Sequence, residues 1–434
     1  MKIRWLCVPL LLCGLFGDSA SAQSRVIVRT TLGLQGLQQF CNTGLLVPTC
    51  TVVRDLGDPL HQLFLVTTPL DLTTFLNLLG STVGIVDAEA DQVVSLIGGI
   101  NQLGTPPAGL SDTAPNHYFN TNVWNGYAVQ PAAQIVRVSE AQNTFHVSGT
   151  GIAADIDTGV DPSHPALKTV LLPGYDFIRN QPGGSEMNDF GGPPPSGSTS
   201  NIAQVNQSTA AVLDQSTAAV LDGSPQYAAF GHGTMVLGVI HLVAPRAKLM
   251  PLKAFGSNGS GFLSDILRAV YFAVQNGANV VNMSFDFKTS SAEFSNALDF
   301  ANQNNVICAA SAGNDGMQEI VYPAALQNDV MGVASTSDAD MRSSFSNYGN
   351  AIVWVAAPGE AIISTYPFGT YAASWGTSFS APFVSGAAAL MLDMDKGINE
   401  AQAASAIAKA VPVGDGMGNG RIDLVRALLS MSTK

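Results

Sequence analysis

Charged residues are scarce in this chain, and basic residues are the scarcest. Asp, Glu, Lys and Arg make up 12% of the 434 residues, about half of the usual share. Only 19 residues are Lys or Arg against 32 Asp or Glu, which gives a formal net charge of −13. With no basic stripe to meet phosphates, we expect no binding to nucleic acid.

Long apolar runs are also missing beyond the first 16 residues. No later stretch is long and apolar enough to anchor the chain in a bilayer, so we expect no membrane association once the N-terminal segment is removed. Hydrophobic residues still make up 46% of the chain. That share is ample for a sizeable core.

Cysteine is rare, with five residues in the whole chain. Cys41 and Cys50 could bridge in an oxidising compartment or remain two unpaired thiols, and the spacing does not decide between them. Cys308 stands alone in a strand-like run, which favours a small buried hydrophobic side chain. The sequence therefore excludes a fold that is built mainly on disulfides.

Histidine is absent from the C-terminal part of the chain. Ser378, in the segment Gly376–Pro382, has no histidine after it, because the six histidines are His61, His117, His146, His164, His232 and His241. This order excludes an α/β-hydrolase, in which the catalytic His follows its Ser. No Gly-Asp-Ser-Gly surrounds Ser378, which leaves a chymotrypsin-like site without support.

Three short segments supply a carboxylate, an imidazole and a hydroxyl in the order Asp, His, Ser. Asp157 ends the apolar run Ile152–Ile156, which predicts a buried parallel strand with the acid at its carboxyl end. His232 lies in Gly-His-Gly-Thr before an apolar run of helical density, and Ser378 precedes another. Both side chains are thus expected at helix N-termini, where the dipole and free N–H groups stabilise an oxyanion.

With these three motifs, the chain from about Trp124 to its C-terminus resembles the subtilisin-like serine peptidases, or subtilases. The resemblance implies a doubly wound, mainly parallel α/β sheet with helices on both faces. It further implies that Asp157 orients His232, that His232 is the general base and then acid, and that Ser378 is the nucleophile. Asn314, in the family's Ala-Ala-Gly-Asn-like block at 309–316, would donate to the oxyanion beside the Ser378 N–H.

The same resemblance implies a substrate cleft. The segment Gly259, Ser260 and Gly261 would pair with the substrate backbone as an added strand. One wall of the pocket for the residue before the scissile bond would be Ser284, Phe285 and Asp286, and the facing wall Ala310, Ser311, Ala312 and Gly313. Relatives usually carry glycine where this chain has Asp286. Its carboxylate either lies near the pocket mouth and favours a basic substrate residue, or turns to solvent and narrows the cleft.

Several positions depart from the family pattern. Met235 and Phe383 replace family histidines, and we expect that the two helices carrying them meet and have repacked together. Asp155 should share a face with Asp157, where burial would raise its pKa unless it is paired. Ala166 stands where many relatives carry a calcium-ligating acid, and Asp161 alone is a weak ligand signal. The resemblance therefore leaves calcium open without assigning it a ligand, and we expect no other cofactor.

The N-terminus predicts secretion. Lys2 and Arg4 precede the mainly apolar segment Trp5–Phe16, and Ala20-Ser21-Ala22 fits a cleavage site. We expect residues 1–22 to be a signal peptide and the mature protein to be extracellular or periplasmic.

Residues 23–98 predict a small α+β, ferredoxin-like domain that resembles the inhibitory propeptide of subtilases; a permanently attached domain is the alternative. Its expected elements are strand Val26–Arg29, helix Leu34–Phe40, strand Leu63–Val66, a helix over 72–79, and strands Val83–Val86 and Gln92–Ser95. Residues 99–123 are expected to be a linker that contains or adjoins the processing bond. The peptidase domain would then be 124–434.

Residues 179–227, approximately, predict a solvated surface insertion in the peptidase domain. This range contains an exact tandem repeat, 207–214 copied as 215–222, whose composition is compatible with a short helix.

The sequence thus predicts a secreted, monomeric serine endopeptidase that acts on proteins or peptides through an acyl-enzyme, with its own propeptide as an intramolecular inhibitor. Two alternatives stay open. One is a binding protein on a catalytically inactive subtilase fold, and the other is a processing peptidase of narrow specificity.

Overall fold

The computed structural model describes residues 23–43, 48–96, 105–190, 203–206, 209–212 and 225–432. The described chain forms two compact units. The smaller comprises the residues up to Arg54 together with Phe64–Ala90, and the larger comprises Asp55–Leu63 and the residues from Asp91 onward. The predicted signal peptide, residues 1–22, lies outside the described residues.

The smaller unit has the β-α-β-β-α-β order of a ferredoxin-like domain. Its elements are β1 (Ser24–Thr30), α1 (Gly33–Cys41), β2 (Thr51–Asp55), β3 (Leu63–Thr68), α2 (Leu72–Gly80) and β4 (Ile85–Ala90). The sheet order is β2-β3-β1-β4, and β1 pairs antiparallel with β4. Both predicted helices are confirmed. Cys41 and Cys50 form a disulfide, which resolves the alternative that the sequence left open.

Two strand predictions for this region need correction. The strand β2 was not predicted. It is short and Val53 is exposed in it, so the apolar residues form no clear strand pattern. The predicted last strand exists as β5 (Val93–Ser95), but it belongs to the larger unit and pairs there with another segment.

The larger unit is built on an eight-stranded, mainly parallel sheet, as predicted. Its order is β10-β9-β13-β8-β15-β16-β17-β18, and helices cover both faces. The strands are β8 (Ile152–Asp157), β9 (Tyr175–Asp176), β10 (Gln181–Pro182), β13 (Lys248–Lys253), β15 (Val280–Met283), β16 (Ile307–Ser311), β17 (Met331–Thr336) and β18 (Val355–Pro358).

Shorter ribbons and the helices complete this unit. The other strands are β6 (Pro115–Tyr118), β7 (Thr121–Trp124), β11 (Ala203–Asn206), β12 (Thr209–Val212), β14 (Ser260–Phe262), β19 (Ile362–Tyr366) and β20 (Thr370–Trp375). The helices are α3 (Asn125–Ala128), α4 (Pro131–Ile135), α5 (Val138–Phe145), α6 (His232–Val243), α7 (Leu263–Gln275), α8 (Ala292–Gln303), α9 (Ala381–Met394), α10 (Glu400–Ile407) and α11 (Leu424–Ser432). Within the described residues, no helix combines the length and apolar character needed to cross a membrane.

Helices α6 and α9 lie against each other at the centre of the larger unit. Every residue of α6 is buried, as is nearly all of α9. The expected contact between the two helices is confirmed, and both Met235 and Phe383 are fully buried in the shared core. A neutral apolar pair is stable at such positions, where an imidazole would need a polar partner.

Part of the predicted linker 99–123 is in fact packed into the larger unit. Residues Ala108–Ser111 form a 3-10 turn, and β6 and β7 form a hairpin. Leu110 and Tyr118 are buried in the main core, and the Tyr118 hydroxyl donates to the carbonyl of Leu242. These apolar anchors outweigh the Pro and Gly signals that predicted a linker.

The predicted surface insertion, 179–227, also contributes to the interior. Glu186 is fully buried, and β11 pairs parallel with β20. Residues 209–212, in the first copy of the tandem repeat, form a strand rather than the helix that its composition allows. The second copy lies outside the described residues.

Candidate active site

The structure brings Asp157 and His232 into direct contact. Asp157 ends β8 at its carboxyl edge, and His232 begins α6, as predicted. The Nδ1 atom of His232 is 2.8 Å from each carboxylate oxygen of Asp157, and both side chains are buried. A Cβ atom at Gly233 would lie 2.1 Å from the carbonyl oxygen of Gly159, so only glycine allows the two loops to approach this closely.

Ser378 lies in a 3-10 turn, Thr377–Phe379, immediately before α9. Its hydroxyl donates to the carbonyl of Ser284 at 2.9 Å. The Nε2 atom of His232 is buried and has no hydrogen-bond partner among the described residues. Since unsatisfied buried nitrogens are rare, this atom is the natural acceptor for a hydroxyl that turns away from Ser284.

Asn314 lies next to this turn with its amide orientation fixed. Its Oδ1 accepts from the backbone N–H of Thr377 at 2.8 Å and from the Thr377 hydroxyl at 3.0 Å. Two donors on Oδ1 assign the other end of the amide as Nδ2. Asn314 is therefore hydrogen-bonded to the residue immediately before Ser378.

A chain of buried polar groups supports the Ser378 turn, and the sequence analysis missed most of it. The Ser284 hydroxyl donates to the carbonyl of Ser378 at 2.9 Å, and Asn282 donates both to Ser284 and to Asp155 Oδ1. Burial and the neighbouring Asp157 carboxylate raise the pKa of Asp155 well above its ordinary value. The raised pKa expected for Asp155 is therefore confirmed.

The segment Gly259–Gly261 is paired with another part of the same unit. β14 forms an antiparallel pair with β5, with Ser260 opposite Ser95. The N–H of Leu96 donates to the carbonyl of Gly259 at 2.8 Å, and Ser95 bridges to Asp286 on its other side. Residues 93–96 therefore form an added strand between two of the predicted substrate-binding segments.

The two predicted pocket walls lie side by side. Ser284–Asp286 follows β15, and Ala310–Gly313 overlaps the end of β16, its parallel neighbour. The Ser311 hydroxyl donates to the carbonyl of Phe285 at 3.3 Å.

The Asp286 side chain is half-buried and faces Gly313 of the other wall. A Cβ atom at Gly313 would be 3.5 Å from its Oδ2. Burial, followed by the nearby Asp315, raises the pKa of Asp286 to about 7, although Lys288 opposes the shift.

The residues near Asp161 do not fit a calcium site. Asp161 Oδ1 accepts from the N–H and hydroxyl of Ser163, and its Oδ2 accepts from the N–H of Phe368. Ala166 offers no ligand atom. Over the described parts of the chain, no cluster of three or more His, Cys, Asp or Glu side chains is placed to hold a metal ion.

Comparison with known proteins agrees with this geometry. The model of the subtilase family (peptidase S8) matches residues 150–425. A thermophilic serine proteinase of Bacillus sp. (strain AK1) is 31% identical over 324 residues, covering 72% of this chain and 71% of that protein. Thermitase of Thermoactinomyces vulgaris is 30% identical over 311 residues, covering 69% of this chain and 95% of thermitase.

Solved structures give the same result. A cold adapted subtilisin-like serine proteinase aligns with a TM-score of 0.50 at 27% identity, covering 64% of this chain and 88% of that one. A lanthipeptide protease shares the fold, with a TM-score of 0.55 at 23% identity over 70% of this chain and 95% of that one. The chain therefore belongs to the subtilase family and is a subtilisin-type serine endopeptidase.

Proposed function

We propose that Asp157, His232 and Ser378 form the catalytic triad and that catalysis passes through an acyl-enzyme. The Ser378 Oγ attacks the scissile carbonyl carbon while its proton passes to His232 Nε2. The imidazolium then gives this proton to the leaving amine as the peptide bond breaks, which leaves an ester on Ser378. Water attacks the ester, again with His232 as the base, and releases the acid. The competing proposal of an inactive binding protein is favoured by no feature of the site.

One observation carries this proposal. The imidazole of His232 is held at Nδ1 by Asp157, while its buried Nε2 lacks a partner among the described residues. The ring of Phe379, the residue after Ser378, lies 5.3 Å from the His232 imidazole, centroid to centroid, and the Ser378 hydroxyl is the partner that we propose for Nε2. The direct test is hydrolysis of a peptide library by the purified protein, with Ser378→Ala as the inactive control.

Replacing Asn314 by Ala should lower kcat by about 10²–10³ with KM little changed, because the amide would stabilise charge that develops only in the transition state. Steady-state kinetics on one peptide substrate measures both constants. Asn302→Ala is a control at another partly buried asparagine, on α8, and should leave kcat within about twofold. A rise in KM alone for Asn314→Ala would instead assign the side chain to substrate binding.

We further propose that residues 23–97 act as a cleavable inhibitor. The added strand at 93–96 supports this, since it pairs with the segments expected to bind the substrate backbone. The Asp91 carboxylate also accepts from the N–H and hydroxyl of Ser264 at 2.8 and 2.9 Å, at the beginning of α7. A substrate could not pair with β14 while this strand is in place. We also propose that the protein is secreted, and this rests only on the sequence pattern of residues 1–22.

Asp286 should give the enzyme a preference for Lys or Arg before the scissile bond that grows with pH. With residues 93–96 paired beside it, burial raises the pKa of Asp286 to about 7, and removal of that strand should lower this pKa again. The carboxyl group attracts a cation only above its pKa, so we expect kcat/KM for Arg relative to Leu at that position to rise about tenfold between about pH 5 and pH 8.5. The ratio cancels any pH effect on His232, because one enzyme hydrolyses both peptides.

The matched control is Asp286→Asn, which keeps the shape of the side chain and removes the titrating charge. Its Arg-to-Leu ratio should be low and flat across the same pH range. A ratio that rises equally in wild type and Asp286→Asn would eliminate the electrostatic origin of the preference.

A further inference from the structure

Glu186 is a fully buried carboxylate in the segment 179–227. The backbone around Glu186 forms one β-bridge with the loop after β8. The N–H of Val160 donates to the carbonyl of Gly184, and the N–H of Glu186 donates to the carbonyl of Val160. The side chain is thereby directed at the two loops that carry Asp157 and His232.

The carboxylate accepts three hydrogen bonds from those loops. Its Oε2 accepts from the hydroxyl of Thr158 at 2.9 Å and from the N–H of Gly231 at 2.8 Å. Its Oε1 accepts from the hydroxyl of Thr234. Thr158 follows Asp157 directly, and Gly231 and Thr234 flank His232. One side chain therefore joins both halves of the Asp157–His232 pair.

The direction of these hydrogen bonds is fixed by their neighbours. The Thr158 hydroxyl accepts from the N–H of Gly233 at 3.0 Å, and the Thr234 hydroxyl accepts from the N–H of Asp161 at 2.8 Å. A backbone N–H can only donate, so each hydroxyl has its own proton left to give to Glu186. The site requires an acceptor for three donors, which an ionised carboxylate provides and an amide does not.

We propose that Glu186 is a positioning residue for catalysis, which holds the Asp157 turn and the first turn of α6 at the separation that the triad needs. This inference rests on the proposed triad. The reason is geometric. The Nδ1 of His232 contacts both oxygens of Asp157, and the Thr158 and Thr234 hydroxyls that link the two loops directly are themselves held by Glu186. A displacement of about 1 Å at a catalytic group can cost 10² in rate.

Charged and titratable groups around Glu186 bear on its protonation. Burial raises its pKa to about 7, opposed by its hydrogen bonds and by the positive charge of Lys253. Lys253 is itself buried, with its Nζ donating to the carbonyls of Thr158 and Phe255 and to Asp189. The negative charge of Glu186 in turn raises the pKa of Asp155 and that of Tyr366. Protonation on the acid side of about pH 7 would remove one acceptor from the network.

The test is kcat per reactive Ser378, counted by titration with an organophosphonate, so that loss of folded protein does not register as loss of catalysis. Glu186→Ala should lower this kcat about 100-fold and Glu186→Gln, which keeps the volume, about tenfold. KM should change less than twofold in both, because the hydrogen bonds of the Glu186 side chain go to the loops around Asp157 and His232. The acid side of the kcat profile should become less steep in Glu186→Gln, since one titrating group is gone.

Glu400→Gln is the matched control. Glu400 is also a buried carboxyl with a raised pKa, of about 8, and it accepts from the N–H of Cys308 near the opposite end of β16 from the site. Its loss should reduce stability and leave kcat per titrated site within twofold.

Thr158→Val serves as an independent variant if Glu186→Ala does not fold. The double variant with Glu186→Gln should lower kcat by less than the product of the two single decreases. Both substitutions alter the same hydrogen bond, from the Thr158 hydroxyl to Glu186. Wild-type kcat per titrated site in Glu186→Gln and Thr158→Val would overturn the inference. Absence of phosphonate labelling in wild type would instead overturn the triad, so the two failures are distinct.

Discussion

Ser378→Ala and His232→Ala should each lower kcat by about 10⁶, the magnitude known for this triad in subtilisin itself. The two losses should be nearly equal, because the nucleophile cannot be deprotonated without its base, and the later functions of the base depend on the ester that the nucleophile forms. The double variant should be no slower than either single variant. Steady-state hydrolysis of a peptide substrate, with the protein quantified by absorbance, measures all three values.

His164→Ala is the control for the imidazole. His164 is buried, with its Nε2 at 2.9 Å from the carbonyl of Thr370, away from Asp157. We expect a loss of stability with kcat near that of wild type. Turnover by Ser378→Ala within tenfold of wild type would contradict the assignment of the nucleophile.

The second large effect should appear in maturation. Wild-type protein should be recovered without its N-terminal region, whereas Ser378→Ala should accumulate as a precursor that retains it, because removal of the inhibitor needs the enzyme's own nucleophile. The N-terminus of each purified protein, read by mass spectrometry, measures this. Recovery of fully active wild type that keeps residues 23–97 would contradict the inhibitor proposal.

The strand register predicts which bond is cut. Ser95 lies opposite Asp286 in an antiparallel bridge, and a substrate strand in this register would bring its second residue after the bridge to Ser284. The carbonyl of Ser284 is the group that the Ser378 hydroxyl contacts. We therefore expect cleavage between Ile97 and Gly98, just outside the described residues, and a mature N-terminus at Gly98. Gly98→Pro, which turns the scissile bond into a tertiary amide with a fixed φ, should block this cut and leave the precursor intact.

The sequence predicts well where Asp157, His232 and Ser378 lie in the fold, because each of these side chains is positioned by its immediate neighbours. Asp157 lies at the end of an apolar strand, and His232 and Ser378 lie before apolar helices, all within about ten residues of the signal that indicates them. Local patterns of this length are what sequence reasoning can resolve. The alternation of side chains in β8 likewise places Asp155 correctly.

Contacts between segments that are far apart in the sequence were not predicted. Glu186 and Thr158 are 28 positions apart, and Glu186 and Thr234 are 48 apart. Nothing in the local pattern around Glu186 pairs it with either threonine. The available signal is weaker: a single acid in a loop of low charge, and a threonine beside each catalytic residue. Such a pairing becomes visible only when the fold brings the loops together.

The errors in the N-terminal half have the same origin. Residues 93–95 were correctly predicted as a strand, but the identity of the partner strand is a long-range property. The range 99–123 has the glycines and prolines of a linker, yet burial of Leu110 and Tyr118 fixes part of it to the core. In both cases tertiary contacts override a local preference.

The measurement that tests the proposed triad most directly is labelling of the mature protein with an organophosphonate, followed by peptide mapping. With Ser378 as the nucleophile, we expect one adduct per molecule, on its Oγ, with complete loss of hydrolysis. Labelling should be greatly slowed in His232→Ala and absent in Ser378→Ala. An adduct on another residue, or hydrolysis that survives full labelling of Ser378, would contradict the assignment of Ser378 as the nucleophile.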